Sequence, residues 1–117
     1  MYTVASARER LAAIQPLLDE LVVVRADAAE LAAALRTGTP SDLGGLPELK
    51  ARQARFDEIL STVAQDDVEV KGFAPLLLDF PATLDGEPVL LCWLEGERGL
   101  AWYHRQDLGF LGRRPLP

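Results

Sequence analysis

Eight apolar residues constrain what this chain can fold into. Leu11, Ile14, Leu18, Leu21, Val24, Ala28, Leu31 and Leu35 recur at steps of three and four. That spacing lays one stripe along a helix, whereas a strand would repeat every second residue. Arg8, Glu9, Asp19, Glu20, Arg25, Asp27 and Arg36 fall mostly off the stripe and read as a solvated face. Thr3 is placed to cap the first turn. Pro16 removes one helix bond and crowds the carbonyl of Ala12, which predicts a kink or short break between Ala12 and Gln15. Residues 37–45, dense in turn formers, predict a loop, and Pro47 suits the opening of a second helix. Leu46, Leu49, Gln53, Phe56, Leu60 and Val63 then mark its stripe. Two stripes joined by a short loop predict an antiparallel helical hairpin. The first helix is the longer, so its stripe over residues 4–14 needs cover from the C-terminal half or from another chain.

After Val68 the period becomes extended. Residues 76–80 read as a strand closed by Pro81, residues 84–87 as a turn, and residues 89–94 as a second apolar strand. A turn at residues 95–98 leads to a last strand over residues 100–104. The fold class is therefore α+β, a long antiparallel helical hairpin packed on a small, mainly antiparallel C-terminal sheet. One domain is expected over residues 1–117, with the hairpin in 1–66 and the β-rich half and tail in 67–117. If the turn pairs Leu94 with Gly99, Leu91 faces Trp102 and Val89 faces His104. Cys92 and His104 then lie on opposite faces. Both faces are apolar, so one asks for cover from the tail, the first helix or a second subunit, and a homodimer is the expected state.

The net charge of −6, with 12 basic against 18 acidic residues, argues against a nucleic-acid-binding surface. A single cysteine forms no internal disulfide, and no apolar run is long enough for a signal core or a membrane span. The expected location is cytoplasmic. No glycine-rich phosphate loop is present, since residues 38–45 lack the lysine and the strand–helix setting, and no cofactor is expected.

The segments LLLDFP, DGEPVLLCW, GE, WYH and GFLGRRP resemble the recurring patterns of a small bacterial family catalogued as domain of unknown function 2203. The resemblance covers essentially the whole chain. It differs where Tyr103 separates Trp102 from His104, in the short link after Glu97, and in KGFAP before Leu76, which lacks acidic character. It implies the fold and an oligomer, and no activity.

Candidate chemistry gathers in residues 85–114 and at Asp79 before them. Cys92, His104, Asp79, Glu97 and Asp107 are ligand types, yet no CxxC, HxxxH or HExxH spacing occurs, and the pairing above keeps Cys92 from His104; no metal site is assigned. The same separation disfavours a Cys92–His104 nucleophile. His104 with Asp79 or Glu97 is the remaining acid–base candidate. In the tail, Phe110 offers an anchor between glycines, and Arg113 a planar fork for an anion. The leading reading is a non-enzymatic, homo-oligomeric interaction or scaffold module whose partner-facing residues are Trp93, Glu97, Trp102, His104, Phe110 and Arg113. The alternative is a small enzyme, or a protein binding an anionic small molecule, that uses His104 and Arg113. A metal-binding protein is third.

Overall fold

The computed structural model describes residues 1–117 throughout. Helix α1 spans Val4–Thr37 and helix α2 spans Leu46–Val63. Five strands follow: β1 (Glu69–Phe73), β2 (Leu76–Leu84), β3 (Glu87–Leu94), β4 (Trp102–His104) and β5 (Arg114–Pro115). They form one antiparallel meander in the order β1-β2-β3-β4-β5. The α+β architecture read from the sequence is the one observed.

Thr3 caps α1 as expected. Its hydroxyl accepts from Ser6 N–H at 3.0 Å while Ser6 Oγ accepts from Thr3 N–H at 2.9 Å, a reciprocal box that satisfies two first-turn donors. The break expected near Pro16 is absent, and α1 runs unbroken from Val4 to Thr37. Proline forfeits one backbone bond there, and Ile14 and Leu18 on either side of it are buried. In α2 the apolar stripe falls on Leu49, Ile59 and Val63 rather than on Leu60, and Leu46 lies exposed at the helix start.

The chain forms two compact units, Met1–Ile14 with Val63–Pro117, and Gln15–Thr62. In the second unit, Glu20 pairs with Arg55 at 2.6 Å and Asp27 with Arg52 at 3.6 Å. Later positions of α1 meet earlier positions of α2, which is the antiparallel hairpin. In the first unit the opening of α1 belongs with the sheet, so the C-terminal half supplies the cover that residues 4–14 needed. Tyr2 stacks edge-on against Phe80 with ring centres 5.5 Å apart, and the Arg8 guanidinium donates to the Leu100 carbonyl at 3.0 Å. Ala7, Leu11 and Ile14 are buried here, with Leu76, Leu78, Phe80, Leu91 and Trp93 from one sheet face.

Asp85 and Gly86 make the two-residue β2–β3 turn, with φ of 51° and 79°, and Leu84 opposite Glu87. Positive φ at both positions matches the right-handed strand twist. Pro81 does not end β2, which continues to Leu84. The Pro81 carbonyl accepts from Tyr2 N–H at 2.7 Å, so its missing donor points to the side where β1 has already ended and takes no bond from β3.

Replacing Pro16 by alanine restores a helix bond and should raise stability by about 1–3 kcal/mol. Thermal unfolding followed by helical circular dichroism checks it, and a lowered midpoint would mean that the proline geometry itself is required.

Candidate functional site: a buried Asp–Cys–His cluster

β3 and β4 pair one residue out of the register expected from a tight turn. Leu90 faces His104, Leu91 faces Tyr103, and Cys92 faces Trp102. The cause is Glu97. Its carboxylate accepts from Leu94 N–H at 2.6 Å, its own N–H donates to the Leu94 carbonyl at 3.0 Å, and its carbonyl accepts from the Trp93 indole at 3.0 Å. Leu94 is thereby satisfied locally and never pairs with Gly99. A one-residue shift turns every β4 side chain to the other face. Cys92 and His104, expected on opposite faces, therefore share one.

Asp79 of β2 sits directly opposite Cys92, and His104 is two residues beyond Cys92's other neighbour, Trp102. With a side-chain period of two, all three point the same way. Asp79 and His104 are each 3% exposed and Cys92 is fully buried. His104 Nε2 stands 3.2 Å from Asp79 Oδ1, and Nδ1 lies 2.8 Å from the Arg105 carbonyl. Burial, then the Asp79 charge, push the Cys92 thiol up to about 12, against a smaller downward pull from Arg113. Such a thiol is protonated at neutral pH and is a poor nucleophile. Acid–base work on a dissolved substrate is equally disfavoured, because His104 is enclosed and already paired.

Arg113 is committed too. Its Nη2 donates to Glu97 Oε1 at 2.6 Å and to the Cys92 carbonyl at 3.1 Å. The guanidinium lies 5.0 Å from the Trp102 ring centre and 4.9 Å from that of Phe110, a sandwich suited to a planar cation. Of the six residues expected to face a partner, Trp93 and His104 are buried and do not reach the surface. Trp102, Glu97 and Arg113 are partly buried, and Phe110 is exposed. The residue that the sequence reading left out of the cluster is Cys92. Asp79 carried the signal that could have found it: a lone carboxylate inside the apolar run LLLDF must have a buried partner on a neighbouring strand.

The family described as "Uncharacterized conserved protein (DUF2203)" matches residues 1–116. The chain belongs to that family. No curated protein and no solved structure matches it. The family's description assigns no activity. No helix is long and apolar enough to cross a membrane.

Two outcomes follow for this DUF2203 chain. His104→Ala removes the ring packed beside Asp79, leaves that buried carboxyl unsatisfied and should cost about 1–3 kcal/mol in urea unfolding; a cost under about 1 kcal/mol would mean that His104 does not hold the sheet. The raised Cys92 thiol gives a second. Below the ordinary thiol value near 8.5, folded and unfolded chains both keep the proton, and the contribution is complete. Between about 8.5 and 12 only the folded chain keeps it, so stability falls as pH rises. The wild type should therefore lose stability more steeply than Cys92→Val from pH 8 to pH 11, and parallel curves would contradict the burial assigned to the thiol.

Proposed function

We propose that this DUF2203 protein is a non-enzymatic interaction module that works in the cytoplasm as a homodimer. The observation that carries this reading is the turn between β4 and β5. Leu108, Phe110 and Leu111 are 45%, 42% and 97% exposed. The turn is nonetheless well held: Gly112 N–H donates to the Gly109 carbonyl at 3.0 Å, and Arg113 N–H to the Phe110 carbonyl at 3.1 Å. Arg113 also clamps the Phe110 ring from one side. Single exposed leucines need no explanation, but three neighbouring apolar side chains on a braced turn form a preordered contact point.

Both faces of β3 are buried by the chain itself, so the sheet makes no demand for a second copy. Self-association rests instead on the exposed turn. The paired state of His104 and Arg113 favours this module over an enzyme or a binder of small anions, because neither side chain is left to take a substrate. The lone, buried cysteine suits a reducing compartment.

Native mass spectrometry of the purified chain at micromolar concentration is expected to give a dimer. Leu111→Glu should weaken it at least about tenfold, since burying one leucine is worth about 1.5–3 kcal/mol and each 1.4 kcal/mol is a factor of ten. A wild type that stays monomeric across that range would overturn the homodimer, and an unchanged dimer in Leu111→Glu would move the contact away from this turn.

A further inference from the structure

We infer that Asp79, Cys92 and His104 are three ligands of a zinc ion, at a site that stands apart from the interaction role above. Three adjacent strands bring a carboxylate oxygen, a thiol sulfur and an imidazole nitrogen within 4.8 Å of one another, all buried. Zinc accepts all three ligand types, whereas calcium and magnesium draw oxygen shells. Acidic groups often gather by chance on surfaces. Three polar groups at the centre of a sheet are a different matter, because each has given up its water.

The His104 ring supplies an independent observation. Its Nδ1 lies 2.8 Å from the Arg105 carbonyl, and a carbonyl oxygen only accepts, so Nδ1 carries the hydrogen. In the neutral ring, Nε2 then bears a lone pair, yet 3.2 Å from it stands an oxygen of Asp79. Lone pair against carboxylate is unfavourable, and a cation shared by the two atoms removes the conflict. Two ligand atoms each 2.0–2.1 Å from a tetrahedral zinc stand about 3.3 Å apart, close to the separation found. Holding the far ring N–H on a backbone carbonyl is also how metal-bound histidines are oriented.

Arg113 fits the same arrangement. Its Nη2 donates to the Cys92 carbonyl at 3.1 Å, and its Nε is buried with no hydrogen-bond partner. A metal-bound thiolate is an anionic acceptor of the kind a guanidinium N–H seeks. One carboxylate and one thiolate neutralise a divalent ion, and three protein ligands leave a fourth position for water or another donor. Spacing rules overlooked the site because its ligands come from three strands, one residue each.

The test uses the full chain, dialysed against a chelator and checked for folding by far-ultraviolet circular dichroism. Cobalt(II) is titrated first, then zinc(II). The expected result is one cobalt per chain, with a thiolate charge-transfer band in the near ultraviolet and the visible bands of a tetrahedral ion, all displaced by zinc. Cys92→Ser should abolish the charge-transfer band. Asp79→Asn and His104→Gln should each weaken zinc binding about 100-fold or more, beyond the 10–100-fold cost of losing an outer-shell partner. A folded wild type that gives no band overturns the site, and a second ring proton, not an ion, then faces Asp79. A band that survives in Cys92→Ser overturns it as well. Should the Asp79 and His104 variants fail to fold, the wild-type spectrum decides alone.

Discussion

The carboxylate of Glu97 is the interaction on which the first unit depends. It takes the last free N–H of β3 at Leu94 and holds Arg113 at the same distance of 2.6 Å. The first contact ends the β3–β4 ladder early and sets its register. The second draws the tail across Cys92, so that Arg113 stacks between Trp102 and Phe110 and the chain returns as β5. Were Leu94 to pair with Gly99 instead, His104 would turn to the opposite face. Asp79 would then be a buried carboxylate with no histidine beside it, a costly arrangement.

The sheet thus has two unlike faces. Leu78, Phe80, Leu91 and Trp93 make an apolar layer that needs only volume and shape. The other face holds a polar cluster in which Asp79 stands beside His104, His104 on the Arg105 carbonyl and Arg113 on Glu97. A network of that kind tolerates little slippage, since every displaced group becomes an unsatisfied buried one.

Legibility in the sequence followed the range of the forces involved. The α1 stripe as far as Leu31, though not the exposed Leu35, the Thr3 cap and the Asp85–Gly86 turn were readable because each is settled within a few residues. The α+β class followed from the change of period near Val68. Pro16 did not break its helix and Pro81 did not end its strand, because a proline announces a lost donor without saying whether that donor had an acceptor to lose. At Pro81 the answer came from Tyr2, nearly eighty positions away in the chain. The cluster was hidden for a related reason. Its three members were each named as candidates, but their meeting hinged on a register that one side chain, Glu97, decides, and strand spacing alone cannot reveal it.

The meander order has a kinetic meaning. Each strand pairs with its neighbour in sequence, so most of the sheet can zip outward from the Asp85–Gly86 turn by closing short loops, whose entropic cost is small. The pairing of Tyr2 with Ala82 is the exception, a contact that closes a loop of most of the chain. It is therefore expected to form last and to open first. The seam beside Pro81, rather than the polar cluster, would be where amide hydrogens of this sheet exchange earliest.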